Sequence, residues 1–153
     1  MKDFQAAIAE FAVRQAERDA RAQSEIQHLK AVVIPPLRTA GIARVEVRFD
    51  GYGDSGAVEE CACYDPANAS VACPDAAVEP FRPEASEDNA EAEAQSLTAA
   101  LESLGYLALE RHHPGWELND GAYGQLVIDV AEASFTLDCS LRFTATDDHS
   151  TEL

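Results

Sequence analysis

A chain of 153 residues with 46% hydrophobic content is long enough for one domain with a buried core, or one domain and a long arm. Eleven Lys and Arg against 28 Asp and Glu give a net charge of −17. That excludes a basic nucleic-acid-binding domain and polybasic docking to anionic lipid, since both need cations in excess. No stretch approaches the roughly 18 apolar residues of a membrane-spanning helix. The N-terminal MKDFQAAIAEFAVRQAERDA carries acids early and lacks an unbroken apolar core, so it does not read as a secretory signal and a cytoplasmic protein is expected.

Residues 2–33 read as one long helix. Phe4, Ile8 and Phe11, then Ala22, Ile26, Leu29 and Val33, recur mostly at three- to four-residue spacing. The stretch from Arg14 to Arg21 between them is polar and Ala-rich; it favours helix but buries little. Pro35-Pro36 is expected to stop the helix, because neither has an amide hydrogen. A helix of that length spans roughly 48 Å, more than a small domain needs. Part of it is therefore expected to project or to pack on a partner, including a second copy in a homodimer. A helical hairpin broken near Ser24 is the alternative. The expected division is residues 1–36 as arm and residues 40–148 as an α+β domain.

Arg44 to Phe49 alternates, with Val45, Val47 and Phe49 on one face, and predicts a strand. Asp50-Gly51-Tyr52-Gly53-Asp54-Ser55-Gly56 reads as a turn-rich loop, and Ala57 to Tyr64 as the return strand of a hairpin. Residues 65–90, broken by Pro66, Pro74, Pro80 and Pro83, predict an irregular connection, with the insert proper at about 65–86. A second helix is expected from Ser86 as N-cap, with Glu87, Asp88, Glu91 and Glu93 near its start and Leu97, Leu101, Leu104, Leu107 and Ala108 as its apolar seam. Gly105 weakens it without ending it. Leu126 to Val130 and Phe135 to Phe143 alternate around a turn at Ala131 to Ser134 and predict a second hairpin. The expected fold is α+β: a long N-terminal helix and a four-stranded antiparallel sheet of two hairpins, with a second helix on one face.

The charge is uneven. Residues 1–48 hold eight basic and six acidic side chains, whereas residues 49–153 hold three basic and 22 acidic ones. Such an asymmetry either steers a basic partner or serves solubility.

Four groups of residues invite a chemical reading. Asp50, Asp54, Ser55 and Glu59 are hard oxygen donors that suit a cation, but the spacing is not that of a helix–loop–helix calcium site, and a tight hairpin explains the glycines equally well. Cys61, Cys63, Cys73 and Cys139 do not follow a zinc-ribbon or finger spacing; Cys139 reads as a small core residue, and disulfides are not expected in a reducing cytosol. His112-His113 near acids could serve as a general base, yet no nucleophile elbow or phosphate loop accompanies them. Gly53-Asp54-Ser55-Gly56 resembles the nucleophile loop of trypsin-like proteases only as a four-letter coincidence in a chain too short for that fold. Trp116 reads as a core anchor. No catalytic residue, cofactor or metal is therefore assigned.

Phe49-Asp50-Gly51-x-Gly53-Asp54-Ser55-Gly56-x-x-Glu59 and Gly115-Trp116-Glu117-x-Asn119-Asp120-Gly121-Ala122-x-Gly124, followed by a Thr-rich terminal strand, resemble a family of small acidic bacterial proteins of unknown function. The resemblance covers residues 44–60 and 97–153 and leaves 61–96 looking like a local elaboration. It implies a setting on plasmids, phages or other mobile elements of proteobacteria, and no established activity.

An acidic domain in that setting leads to a functional expectation. It is a non-enzymatic, nucleic-acid-mimicking inhibitor, of anti-CRISPR or anti-restriction type, of a host nucleic-acid-binding defence protein. Direct nucleic-acid or membrane binding is not expected. The partner-binding residues would be Asp50, Asp54, Glu59, Glu60, Glu87, Asp88, Glu91 and Glu93. One alternative is an interaction or assembly module that docks through the N-terminal helix. Another is a metal-binding module or metal-dependent enzyme centred on Asp50, Asp54 and Glu117.

Overall fold

The computed structural model describes residues 2–52, 55–81, 95–117, 120–143 and 145–153. Helix α1 runs Lys2–Thr39, 38 residues and about 57 Å. Its two ends differ. Residues 3–18 are exposed throughout, whereas Ile26, Leu29, Val33, Ile34 and Leu37 are buried.

Pro35 and Pro36 lie inside α1 rather than ending it. The helix runs one turn further because that turn has its own anchors. Thr39 Oγ1 donates to the Pro35 carbonyl at 3.0 Å, and Ala40 N–H to that of Pro36 at 3.1 Å. Gly41, at φ 76°, then closes the helix: Gly41 N–H bonds the Arg38 carbonyl and Ile42 N–H that of Leu37. This is the two-bond cap that favours glycine, and it brings Leu37 and Ile42 together as buried neighbours. Burial of that last turn outweighs the two amide hydrogens that the prolines lack.

Strand β1 is Arg44–Tyr52, β2 Ser55–Tyr64, β3 Ser70–Val71, β4 Ala77–Val78 and β5 Gln95–Ser96. Helix α2 is Leu97–His112, followed by β6 Ala122–Asp129 and β7 Ser134–Leu141. The main sheet is antiparallel in the order β3-β2-β1-β6-β7, and β4 pairs β5 separately. The fold is α+β with the two expected helices, but it has five strands in the main sheet and a small second sheet instead of four strands. The two hairpins are both present, and β1–β6 pairing fuses them. The extra strands fall in or beside the proline-broken stretch, where pairs as short as Cys63↔Val71 and Tyr64↔Ser70 leave no periodicity to read.

Helix α2 starts later than expected. Ser96 is extended, at φ −69° and ψ 151°, and its hydroxyl accepts from Ala99 N–H at 3.1 Å. Gln95–Ser96 is strand, so a single helix running from Ser86 through Leu97 is not formed. The Ser86 cap itself lies outside the described residues. The helix passes through Gly105, where an added Cβ would lie 3.1 Å from Val47 Cγ1; α2 uses the missing side chain to approach β1.

The core forms where α1 and α2 meet one face of the sheet. Leu29, Val33 and Leu37 pack with Leu97, Leu101 and Leu104 over Val45, Val47 and Ile128. Arg111 at the end of α2 reaches Asp19 of α1 at 3.4 Å. Phe135, Leu137 and Cys139 of β7 point inward as expected, but only half-buried, because β7 is an edge strand. Strand β7 ends at Leu141, and Leu141 and Phe143 are 60% and 80% exposed, not inward-facing.

Candidate functional site

The expected Asp50–Gly56 loop is largely strand. Asp50 pairs with Ala57, Gly51 with Gly56 and Tyr52 with Ser55, so the two strands stay in register up to Tyr52 and from Ser55. Trp116 lies against this paired glycine step. A Cβ at Gly51 would sit 2.7 Å from its ring and one at Gly56 2.6 Å. Trp116 is 4% exposed, as expected of an anchor. It meets Phe49 edge-on at 5.6 Å and Tyr106 at 6.5 Å.

Arg142 ties the same corner together. It donates to the Gly51 carbonyl at 2.9 Å, pairs with Asp50 at 2.9 Å and lies 4.7 Å from the centre of the Tyr123 ring. A pocket of about 240 Å³ opens beside it, lined by His113, Pro114, Gly115, Trp116, Asp120, Gly121, Leu141 and Arg142. Glu117 Oε2 is buried nearby without a hydrogen-bond partner among the described residues. Asp50 is committed to Arg142, and among the described residues no three His, Cys, Asp or Glu gather to hold a metal ion.

Three of the eight expected partner-binding acids fall among the described residues. Asp50 is exposed but paired with Arg142. Glu60 is held by Arg48 at 2.6 Å, in a chain that continues through Arg48 to Glu46 at 3.0 Å and to the Tyr64 hydroxyl at 2.8 Å. The Glu46 carboxylate, more than any other contact, raises the Arg48 pKa. Glu59 is exposed at the β-bulge, where the register shifts between Arg48↔Glu60 and Phe49↔Val58. Asp54, Glu87, Asp88, Glu91 and Glu93 lie outside the described residues.

Other acids, not singled out from sequence, are exposed and in no ion pair among the described residues: Glu79, Glu102, Glu110, Glu132 and Asp138. Glu102 and Glu110 are eight residues apart on α2, a spacing that the sequence itself displays. No described charged residue is buried as a whole, although one carboxylate oxygen of Glu117 is. No described helix is long and apolar enough to cross a membrane.

Two further features stand outside this corner. Phe4, Ile8 and Phe11 are 71%, 53% and 67% exposed on the projecting part of α1. Cys61, Cys63 and Cys73 cluster between β2 and the chain beyond β3, while Cys139 packs separately beside the Phe49–Trp116 cluster.

No curated protein and no solved structure matches the chain. A model of a family of unknown function (DUF6878) matches residues 26–153. The match begins at Ile26, the first buried residue of α1, and it runs through 61–96, so that segment lies within the matched region and is not outside it as expected. The chain therefore belongs to this family of unknown function, DUF6878.

Proposed function

We propose that the protein is a non-enzymatic binding protein whose acidic body engages the basic channel of a nucleic-acid-binding partner and displaces nucleic acid from it. The partner class is a host defence protein, a CRISPR effector or restriction enzyme, and the setting is a mobile element. The observation that carries this reading is uncompensated surface charge. Residues 49–153 hold 22 acids and three bases, and the two bases among them that are described, Arg111 and Arg142, each face an acid. Glu59, Glu79, Glu102, Glu110, Glu132 and Asp138 remain exposed and outside any ion pair among the described residues. Carboxylates on a folded surface can release the counterions of a basic channel, as phosphates do. Asp50 and Glu60 drop out of the leading set because Arg142 and Arg48 already hold them.

The test is capture from a bacterial lysate on the tagged protein, eluted with rising salt. Nucleic-acid binders that elute with salt and are competed off by added DNA or RNA support the reading. A Glu59→Lys/Glu102→Lys/Glu110→Lys variant is expected to release them at much lower salt. Retention at the same salt by that variant would refute it.

The arm favours a second reading, that of an assembly module. Phe4, Ile8 and Phe11 share one helix face and are in phase with the buried Ile26, Leu29 and Val33. The occupant this reading commits to is the arm of a second copy. Residues 2–21 hold four acidic and four basic side chains, so two arms do not repel. Antiparallel pairing also keeps the two acidic bodies at opposite ends, several Debye lengths apart. Light scattering is expected to give twice the 16.5 kDa chain mass, and Phe4→Glu/Phe11→Glu to halve it. A monomer at high micromolar concentration sinks this reading and leaves the first intact.

A further inference from the structure

Three of the four cysteines meet at one point that neither reading uses. Cys61 and Cys63 are two residues apart on β2 and so share a face. Strand β3 pairs with β2 at Cys63↔Val71. Carried on by two residues, that antiparallel register sets Cys73 opposite Cys61. The Cys73 side chain then leans diagonally: its Sγ lies 2.7 Å from Cys63 Sγ and 3.4 Å from the Cys61 carbonyl. Two sulfurs at that separation need a shift of only roughly 0.7 Å to reach the ~2.05 Å of a bond. Cys63 is 1% exposed and Cys73 is half-buried, so a reagent from solvent meets Cys73 first.

We propose that Cys63 and Cys73 are a reversible redox pair that closes into an intramolecular disulfide, with a small-molecule disulfide such as oxidised glutathione as oxidant. The Cys73 thiolate attacks one sulfur of the oxidant, breaks its S–S bond and expels one small thiolate. The Cys63 thiolate then attacks Cys73 Sγ and expels the second. Two electrons pass from the protein to the oxidant, and the two thiol protons end on the two released small thiols. Burial, with a hydrogen bond to Cys73, pushes the Cys63 thiol well up, so the second step speeds up with rising pH. The new bond ties β2 to the chain leaving β3, an edge strand that has only two residue pairs to hold it.

The test uses the full chain in glutathione buffers of graded oxidation, trapped with iodoacetamide and mapped by mass spectrometry. The expected product has lost two hydrogens and carries a Cys63–Cys73 crosslinked peptide. It melts several degrees above the reduced protein. Cys73→Ser abolishes it, and Cys139→Ser does not. Accumulation of a stable glutathione adduct on Cys73, a Cys61–Cys73 crosslink as the main product, or no reaction in fully oxidised glutathione would each overturn the proposal. The peptide map of the unaltered chain decides the matter even where a serine variant fails to fold.

Discussion

The Trp116 ring occupies the space that a side chain would need at Gly56, its Cη2 standing 2.6 Å from where a Cβ would be. Gly51, the cross-strand partner of Gly56, leaves a matching gap, with the ring 2.7 Å away. Two glycines thus face each other so that one indole can lie on the hairpin. This joins the β1–β2 hairpin to the turn that follows α2. Gly56→Ala is expected to cost about 1–3 kcal/mol by overpacking, and Trp116→Ala about 3–5 kcal/mol by leaving a cavity. Urea unfolding checks both. Trp116 is the sole tryptophan, so its fluorescence reports this corner directly in the glycine variant. A Gly56→Ala protein as stable as the parent, with unchanged emission, would contradict the packing.

Arg142 and Asp50 make an unequal pair. Among the described residues the Asp50 carboxylate pairs with Arg142 alone, whereas Arg142 also bonds the Gly51 carbonyl and lies over Tyr123. Asp50→Asn is expected to change stability by under about 1 kcal/mol, because both side chains are partly solvated. Arg142→Ala removes three contacts and is expected to cost about 1–2 kcal/mol. Chemical denaturation of the two variants side by side tests the asymmetry. Equal losses would mean that the ion pair alone carries the contribution of Arg142.

Much of the sheet was legible because alternation is a local signal: Val45, Val47 and Phe49, or Phe135, Leu137 and Cys139, declare a face without any knowledge of neighbours. The long helix was legible in its 3–4 spacing, but its end was not. The prolines carry a local veto that Leu37, Gly41 and Ile42 overrule through burial and a cap. Strands β3, β4 and β5 are two residues each, too short for any period to show. The start of α2 was misplaced because Glu87 to Glu93 imitate an acidic first turn, while Ser96 performs the capping. At the site, the acids were legible as types. Whether Arg48 or Arg142 neutralises them depends on register and on a contact between residues far apart in the chain. The Gly51–Gly56–Trp116 stack and the Cys63–Cys73 approach were hidden for the same reason.

The thiols give the stability a pH dependence under reducing conditions. Burial first, then the negative fields of Cys73, Glu102 and Glu60, pushes Cys61 from 9.0 up to about 12, and Cys63 is raised as well. Below pH 9 both folded and unfolded chains keep these protons. Above it the unfolded chain releases them while the folded chain holds on, so stability falls as pH rises from about 9 towards 12. The slope is at most about 1.4 kcal/mol per pH unit for each thiol, and less for half-buried Cys61, whose charge water screens in part. Melting the parent and a Cys61→Ala variant at pH 8 and pH 10.5 isolates this contribution. The variant is expected to lose less stability on going alkaline, and parallel losses would show that Cys61 ionises freely in the folded state.

The arm and the body of α1 are expected to separate cleanly in a truncation. No described residue before Asp19 is buried or half-buried, and Asp19 is where Arg111 makes its contact. Removing residues 1–17 therefore takes away exposed helix that buries no side chain among the described residues. An isolated helical arm adds little by itself, because most helix stability comes from packing of an apolar face. At sub-micromolar concentration the truncated chain is expected to unfold within about 0.5 kcal/mol of the parent. Leu29→Ala, by contrast, hollows the core that α1 shares with α2 and the sheet, and is expected to cost about 2–5 kcal/mol. Raising the protein concentration then separates the arm's two roles. If arms pair, the parent gains stability with concentration by mass action and the truncated chain does not. If neither gains, the exposed Phe4, Ile8 and Phe11 do not serve a second copy.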